Sequence, residues 1–501
     1  MTADWRRLDP RTLRVTLVTM LGVAVVAGVP TTVGLLGTGL PLLVIVPVGA
    51  VLLVLGGVGI DWLRWRHTRY RVTDSRVEVR HDFVVHTVKS IPRERVRSVD
   101  IDAGPVHRLF GVVKVRIGTG QQDKAGEVIT FDPLDRALAE RLRGDLLRRT
   151  TTEPATAVPG ELARLDWAWL RYAPLSVSTP ILGAAAFGAV MQVAEWFGVQ
   201  ADVVRAVGGF FASLSVVELV AVLVVIGLVV GVVGSLGLFV EMWWNYRLTR
   251  ESGALVMRRG LVTTRSLTLE ERRVRGLEFV EPLGARLAGA ARLDAVATGL
   301  RVKDEKGHSV PRSLAPAMPK AKAQALAASI LGESPPPTEA AGLTAHPVAA
   351  RRRRLVWAVS GALAPVAVLA LLGVLLTDVL LVIAGVVAVI AVPLAVALGM
   401  DAYRNLGHGL RGEYLVARSG AVRRRTVALR RSGVIGWRVV SSPFQRRVGL
   451  LNLVAVTSAN SGAYEIPDVD AAGLAFADDA VPGVLGQFLD YGPGEAAATD
   501  K

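Results

Sequence analysis

The tetrapeptide Tyr70-Arg71-Val72-Thr73 follows a long apolar segment and opens a basic, valine-rich stretch with an alternating pattern. The same transition recurs at Tyr246-Arg247-Leu248-Thr249 and at Tyr403-Arg404-Asn405-Leu406. Later landmarks of the three copies keep the same order: Arg108-Leu109-Phe110-Gly111, Arg286-Leu287-Ala288-Gly289 and Arg446-Arg447-Val448-Gly449. Internal repetition is direct evidence of a repeated architecture. The sequence therefore predicts one membrane-plus-β module that is present three times.

The composition is both hydrophobic and basic. Of the 501 residues 51% are hydrophobic, the mean hydropathy is +0.42, and Lys and Arg together number 58. These properties coexist because apolar and basic residues occupy different parts of the chain. The absence of cysteine excludes disulfides, thiol catalysis and Cys-ligated metal sites.

The apolar residues form three pairs of segments of about 20 residues each, which is enough to cross a hydrocarbon core of about 30 Å. The pairs are 15–36 with 40–60, 175–197 with 214–240, and 355–376 with 379–400. The first segment is longer than the apolar core of a signal peptide, about 7–15 residues, so we interpret it as a retained anchor.

The distribution of positive charge predicts the topology. Within the three apolar pairs Arg205 is the one basic residue, so nearly all Lys and Arg residues lie on one side of the membrane. The positive-inside bias assigns that side to the cytoplasm. We therefore expect three helical hairpins in the inner (cytoplasmic) membrane, with both termini in the cytoplasm.

The basic stretches have the pattern of antiparallel β-structure followed by a helix. Val77-Glu78-Val79-Arg80 alternates between apolar and charged residues. We expect Asp132-Pro133 to open a helix with Asp132 as its cap, which buries leucines spaced by four residues: Leu134, Leu138, Leu142 and Leu146. The other two copies end in helical patterns at 317–331 and 471–489. Each copy therefore predicts a small barrel or sandwich closed by one helix.

Three motifs of the first copy resemble those of bacterial pleckstrin-homology-like (PH-like) domains: Tyr70-Arg71-Val72-Thr73-Asp74, Lys89-Ser90-Ile91-Pro92 and the run from Gly104 to Gly111. The layout of the whole chain is similar to that of YdbT-like polytopic membrane proteins. The later copies depart from the pattern at Glu270, Ala288 and Asn405-Leu406. The resemblance implies a β-barrel capped by a C-terminal helix. It implies no known catalytic residue and no defined ligand.

The predicted fold class is thus a polytopic α-helical membrane protein, with six transmembrane helices in three hairpins and three cytoplasmic PH-like β-barrel domains. The hairpins are predicted at 15–62, 169–243 and 351–400, and the domains at 63–149, 244–331 and 401–491. Segments 150–168 and 332–350 are predicted linkers, and 1–14 and 492–501 are predicted tails.

Two groups of arginines are candidate contacts with anionic lipid: Arg64, Arg66 and Arg69, and the run Arg351, Arg352, Arg353 and Arg354. Near an anionic surface each positive charge contributes about 1 kcal/mol. The alternative is that these residues only orient the adjacent hairpins.

A third group is a candidate interaction surface for phosphate groups or acidic protein: Arg423, Arg424, Arg425, Arg430 and Arg431. The alternative is the solvated face of an edge strand, on which positive charge prevents edge-to-edge pairing.

Other functional classes have weaker support in the sequence. The seven histidines form no metal-binding pattern, and no nucleotide-binding or nucleophile motif is present, so we expect no catalytic residue, metal or cofactor. Basic residues follow the membrane boundaries, which argues against nucleic acid as a partner. The expected partners are the bilayer and other membrane proteins or further copies of the chain.

We therefore predict an interaction scaffold or a sensor of envelope state at the inner membrane surface. The alternative is a transport or lipid-handling component with the PH-like domains as cytoplasmic gates. The near absence of ionisable residues from the apolar segments argues against an ion-coupled carrier.

Overall fold

The computed structural model describes residues 5–34, 41–82, 86–96, 98–118, 128–148, 160–176, 178–196, 205, 209, 215–251, 253–298, 313–339, 342–459 and 462–483. The end of the last predicted helix, most of the first linker and the C-terminal tail lie outside the described residues. The chain divides into two compact units, residues 1–271 and 272–501.

The described α-helices are, in chain order, α1 (Thr12–Gly34), α2 (Leu42–His67), α3 (Pro105–Leu109), α4 (Arg136–Arg148), α5 (Ser178–Trp196), α6 (Val216–Trp243), α7 (Leu283–Leu287), α8 (Lys320–Leu331), α9 (Val348–Leu376), α10 (Asp378–Arg404), α11 (Pro443–Arg446) and α12 (Ala472–Ala480). Of these α1 packs on α2, α5 on α6 and α9 on α10. The three pairs coincide with the predicted hairpins.

Among the described residues five helices are long and apolar enough to cross a membrane: α1, α2, α6, α9 and α10. Their large side chains face outward on all sides, as shown by Val389 at 75% exposure and Leu52 at 65%. A helix that is apolar all round and unburied by protein matches a lipid environment. The remaining predicted span coincides with α5.

Glycine allows the second hairpin to pack closely. A Cβ on Gly231 of α6 would lie 2.4 Å from the carbonyl oxygen of Thr179 in α5, and a Cβ on Gly183 would lie 2.4 Å from that of Gly227. Small residues at such positions let membrane helices approach backbone to backbone. The glycine spacing in this segment therefore marks a helix contact.

The strands form four antiparallel sheets. They are β1 (Arg6–Arg7), β2 (Thr68–Val72), β3 (Arg76–Asp82), β4 (His86–Pro92), β5 (Ser98–Ala103), β6 (Val112–Gly118), β7 (Val128–Asp135), β8 (Gly160–Arg164), β9 (Arg247–Glu251), β10 (Ala254–Arg259), β11 (Thr264–Glu270), β12 (Val274–Pro282), β13 (Ala290–Ala297), β14 (Ser313–Pro319), β15 (Gly407–Arg411), β16 (Tyr414–Ser419), β17 (Arg423–Arg430), β18 (Val434–Val440), β19 (Leu451–Thr457) and β20 (Ala463–Val469).

Each domain contributes a first sheet of three strands and a second sheet of three strands. The sheet orders are β1-β2-β3-β4, β7-β6-β5-β11-β10-β9-β8, β14-β13-β12-β17-β16-β15 and β18-β19-β20. The second sheet of domain 1 is thus continuous with the first sheet of domain 2. The second sheet of domain 2 is likewise continuous with the first sheet of domain 3. The sequence did not predict that strands pair across the domain boundaries.

The predicted tail and linkers also belong to the sheets. β1, from the N-terminal tail, pairs with β2, and β8, from the first linker, pairs with β9. In the third copy Thr344 bridges His408. Each hairpin is therefore an insertion, because residues before and after it pair in one sheet. The predicted linker 332–350 packs against the rest of the unit, since Thr338 and His346 are buried.

The core of domain 1 confirms the amphipathic pattern. Leu142 and Leu146 of α4 are buried against Phe131 and Ile117 of the second sheet. The predicted cap is wrong, however. The bond between Asp132 and Pro133 is cis within β7, α4 begins at Arg136, and the Asp135 carboxylate accepts hydrogen bonds from the amides that follow.

Candidate functional site at the third hairpin

A fully buried carboxylate lies where the third hairpin meets the third domain. Asp468, in β20, has no exposed side-chain surface and accepts hydrogen bonds from Arg353, Arg354 and Gln445. The Arg354 guanidinium lies 2.8 Å (Nε) and 2.6 Å (Nη2) from Oδ2 of Asp468, and Gln445 Nε2 lies 3.0 Å from Oδ1. A buried charge is tolerated where its partners satisfy it in this way.

The backbone of Asp468 is also constrained. Its φ angle is +60°, in the left-handed region, and its amide donates to Oδ1 of Asn452 at 2.9 Å. A residue other than glycine seldom adopts this conformation unless its surroundings hold it there. The conformation is held by the same contacts that pair the carboxylate with the membrane helix.

The structure divides the arginine run that precedes the fifth predicted span. Arg353 and Arg354 turn toward Asp468, and the Arg353 guanidinium also lies 4.7 Å from the ring centre of Trp357. Arg351 and Arg352 are exposed. Successive helix residues point about 100° apart, so the four arginines cannot share one partner. Lipid contact by the exposed pair remains a prediction.

Two buried histidines extend the site. His346 Nδ1 lies 3.2 Å from the backbone carbonyl of Asp468, and His346 Nε2 lies 3.0 Å from His408 Nδ1. A carbonyl only accepts, so His346 carries its proton on Nδ1 and accepts at Nε2 from His408. These contacts are the ones that two neutral rings can make. The Tyr403 hydroxyl, from the last turn of α10, donates to the His346 carbonyl at 3.1 Å.

Burial explains why both rings resist protonation. It lowers the pKa of His346, although the nearby Asp468 partly offsets the effect. Burial, with the adjacent His346 as a further cause, lowers the pKa of His408 to about 4. Desolvation disfavours a charged imidazole, and two neighbouring imidazolium ions would repel each other. The site therefore joins hairpin to domain, and the lowered pKa values of its histidines predict that acid weakens it.

The basic run in domain 3 lies on an inner strand. β17 pairs with β16 on one side and β12 on the other, so it is not the edge strand of the alternative interpretation. Arg424 and Arg425 face acidic residues of β12, Arg430 lies 5.7 Å from the ring centre of Tyr414, and Arg431 donates to the carbonyls of Asp479 and Ala480. Burial, with nearby arginines, lowers the pKa of Arg423. Recognition of phosphate or acidic protein by this run remains a prediction.

The arginines after the second predicted span are exposed. Arg64 and Arg66 lie in the last turn of α2, with Arg66 at 5.3 Å from the ring centre of Trp62. Arg69 lies in β2, opposite Arg7 and Arg80. Their position is at the end of a membrane helix, and headgroup contact by these arginines remains a prediction.

The described residues contain no group of three His, Asp or Glu side chains placed to hold a metal ion. A cleft of about 290 Å³ in the second unit is lined by residues that include Glu278, Arg425, Tyr464 and Glu465. Its lining carries both signs of charge. Nothing in its lining specifies a cofactor.

The two continuous sheets have the same register. In joint 1, the β5–β11 pair, Ile101 lies opposite Ser266. In joint 2, the β12–β17 pair, Phe279 lies opposite Thr426. These residues are equivalent, because each strand is bounded by the same short 3₁₀ helix: Arg93–Arg95, Glu271–Arg273 and Arg431–Gly433. A repeated register indicates a defined joint, since a slip by one residue would reverse every side chain.

Acidic and basic residues lie opposite each other in both joints, and ion pairs cross joint 2. Asp102 lies directly opposite Arg265 in joint 1. In joint 2 the Arg424 guanidinium contacts both oxygens of Glu281, at 2.7 Å (Nε) and 2.6 Å (Nη2), and Arg425 lies 3.5 Å from Glu278. In both joints, acidic residues of the second sheet of one domain thus lie opposite basic residues of the first sheet of the next domain.

Sequence reasoning did not identify Asp468 and its histidine partners. The sequence around Asp468 does not indicate that its carboxylate pairs with arginines more than a hundred residues earlier in the chain. His346 and His408 lie outside any local metal or catalytic pattern. The local sequence also contains Glu465 and Asp470, so it does not single out Asp468.

Known proteins resemble the chain in two comparisons. A family model described as "Bacterial PH domain" matches it three times, over residues 21–150, 187–334 and 364–477. The UPF0699 transmembrane protein YdbT of Bacillus subtilis (strain 168) is 21% identical over 259 residues, which are 47% of this chain and 51% of that protein. The chain therefore matches about half the length of this relative. No solved structure matches it.

Proposed function

This chain belongs to the bacterial PH domain family, and we propose that it is a scaffold that organises a protein complex at the inner surface of the cytoplasmic membrane. The observation that carries the proposal is the pair of joints with one shared register. Each continuous sheet fixes a strand of one domain against a strand of the next, which a scaffold needs and independent tethered domains lack.

Multivalency is the physical advantage of such an arrangement. Weak sites held at fixed spacing bind a partner with repeated features far more tightly than one site does, because later contacts form at high effective concentration. Three copies of one domain on one chain provide such sites. A sensor of envelope state is the related role, in which a change at a hairpin is transmitted through junctions such as the Asp468 cluster.

The proposal includes a topology. Six spans in three hairpins would leave all three domains and both termini in the cytoplasm, in agreement with the positive-inside bias. Because the chain lacks cysteine, single cysteines report accessibility without background. We expect Val262→Cys and Val448→Cys to react with an impermeant maleimide only after the membrane is permeabilised. Leu376→Cys, at the end of α9, should react without permeabilisation, and the opposite pattern would contradict the topology.

The scaffold role is tested by crosslinking in native membranes, followed by purification of the full-length protein. Wild-type protein should capture a reproducible set of membrane or cytoplasmic proteins. Glu281→Arg, which opposes Arg424 in joint 2, should lose part of that set, and the double variant Glu281→Arg with Arg424→Glu should recover it. Capture that does not change when the joint is broken, or capture of lipid alone, would contradict a scaffold.

A further inference from the structure

Three short helices occupy the same position in the three domains. α3, α7 and α11 each follow the first strand of a second sheet and precede its next strand. Each presents a large apolar side chain to the exterior: Leu109 is 74% exposed, Leu287 is 80% exposed and Phe444 is 74% exposed. Single exposed apolar residues are ordinary on protein surfaces. An exposed apolar residue on the same helix of all three copies requires an explanation.

In domain 1 the short helix lies at the ends of membrane helices. α3 contacts α1, and the Arg11 guanidinium, one residue before α1 begins, donates to the carbonyl of Phe110 at 3.4 Å. Arg108 donates to the carbonyl of Leu261. The amide of Leu261 in turn donates to the carbonyl of Glu241, in the last turn of α6, at 3.0 Å. Leu109 is therefore adjacent to the helix end at which the chain enters the first hairpin and to the helix end at which it leaves the second.

Domain 2 repeats the relationship to a following hairpin. Arg286 of α7 donates to Asp401, in the last turn of α10, at 2.7 Å. Arg286 is the repeat equivalent of Arg108. In both domains the residue after this arginine is the exposed leucine. The arginine contact thus holds Leu287 close to the end of a membrane helix, as the Arg108 contact holds Leu109.

Domain 3 also joins its short helix to a hairpin, but through Gln445, and Arg447 stands at the position of Leu109 and Leu287. Gln445 of α11 donates to Asp468, the carboxylate that binds Arg353 and Arg354 in the first turns of α9. Just after α11, Leu450 packs against Ala350 of α9 and against Leu406, which follows α10. Phe444 is therefore fixed beside the ends of both helices of the third hairpin.

We infer that α3, α7 and α11 lie in the interfacial layer of the bilayer and insert Leu109, Leu287 and Phe444 among the lipid headgroups. Residues bonded to the terminal turns of a membrane helix lie at headgroup depth. An apolar side chain at that depth is removed from water, which is favourable, and no polar group has to be buried with it. Arginines on or beside these helices, including Arg446 and Arg447, suit the phosphates of the same layer. The occupant of these exposed side chains is thus the lipid surface.

The test uses the full-length protein in liposomes of phosphatidylglycerol and phosphatidylethanolamine. Single cysteines at 109, 287 and 444 carry a nitroxide label, and collision with oxygen, which concentrates in lipid, is compared with collision with a water-soluble nickel chelate. Labels at Val88 and Ile435 are the controls, because these apolar residues are similarly exposed, at 59% and 66%, but lie on β4 and β18. Variants enter the comparison only if they unfold at the wild-type temperature.

We expect the three labels to lose collisions with the nickel chelate and gain collisions with oxygen relative to both controls. A label that behaves like the controls overturns the repeated arrangement. A label shielded from both reagents also overturns it, because that pattern indicates burial against protein. Replacing the lipids with a neutral phosphatidylcholine bilayer should preserve the oxygen signal, since the inference rests on apolar insertion. Loss of the signal in neutral lipid would overturn it.

Discussion

The guanidinium of Arg424 in domain 3 donates two hydrogen bonds, of 2.7 Å and 2.6 Å, to the carboxylate of Glu281 in domain 2 across a continuous sheet. Glu281 is 5% exposed and Arg424 is 19% exposed at the side chain. A bidentate ion pair of this kind fixes the relative orientation of the two side chains as well as attracting them. It is the most strongly paired contact of joint 2.

The charge pair should be measurable by reversal. Glu281→Arg leaves Arg424 facing a like charge in a largely buried place, so we expect a loss of about 3 kcal/mol in the free energy of unfolding. The double variant with Arg424→Glu should recover most of that loss. Unfolding in detergent micelles, followed by tryptophan fluorescence, measures both. Glu465→Arg, at an exposed position, is the control, and equal losses for Glu281→Arg and Glu465→Arg would contradict the prediction.

Removing the buried carboxylate should uncouple the third hairpin. Asp468→Asn keeps a side chain that tolerates the left-handed backbone but leaves Arg353 and Arg354 without their counter-charge. The expected destabilisation is about 3 kcal/mol, at the low end for a broken buried pair because both arginines are partly exposed. Thermal unfolding of domain 3 is the measurement. Asp479→Asn, at an exposed position, should have no effect, and an equal effect of the two variants would argue against the coupling.

Acid should weaken the same junction. The folded-state pKa of His408 lies below its unfolded value of 6.5, at about 4. The unfolded chain therefore takes up a proton first as the pH falls. Stability is complete above pH 6.5 and declines between pH 6.5 and about 4, by about 3 kcal/mol in total for His408. Unfolding temperatures at pH 8 and pH 5 test this.

A matched variant separates the histidine pair from other titrations. His408→Gln should flatten the decline between pH 8 and pH 5, whereas His86→Gln, at an exposed histidine, should leave it unchanged. A decline that is the same in all three proteins would assign the acid sensitivity elsewhere.

The second hairpin should be intolerant of a single methyl group. Gly231→Ala places a Cβ 2.4 Å from the carbonyl oxygen of Thr179, so the helices must separate. Overpacking of this kind costs about 1–3 kcal/mol. Gly237→Ala is the control on the same helix, because no atom lies within 4 Å of its added Cβ. Equal unfolding temperatures for the two variants would contradict the close packing.

Arg438 should prevent the array from extending to a second copy. Among the described residues β4 and β18 end their sheets, and the shared register would place Val88 opposite Val439 and Lys89 opposite Arg438. Like charges directly opposite each other are unfavourable, and charged edges discourage pairing. We expect Arg438→Glu to permit head-to-tail association.

The readout is a disulfide between Val88→Cys of one copy and Val439→Cys of another in reconstituted membranes. It should form with Arg438→Glu and not with Arg438→Lys. Equal disulfide yields in the two backgrounds would show that charge does not control this edge.

The repeat landmarks predicted three membrane hairpins, each followed by a β-rich domain, because hydrophobic length and periodic pattern are local properties of the chain. That these domains are PH-like was implied by the family resemblance. Six spans and the orientation of the chain remain proposals. The leucines Leu142 and Leu146 were predicted to be buried by spacing alone, and they are. The cap at Asp132 failed because proline at 133 suits a helix start and a strand bend equally well in sequence, and only the cis bond and β7 distinguish them.

Pairing between distant residues was decided by tertiary structure alone. No local sequence pattern predicts that Glu281 lies opposite Arg424. None predicts that Arg353 and Arg354 contact Asp468. The register of a sheet across two domains depends on where whole domains meet. Chain composition determined that this protein has long apolar helices that alternate with basic β-rich domains. Tertiary packing decided which charged side chains are paired in the joints and which remain exposed. The reason is that the free energy of a charged group depends on its burial and on the geometry of its partners.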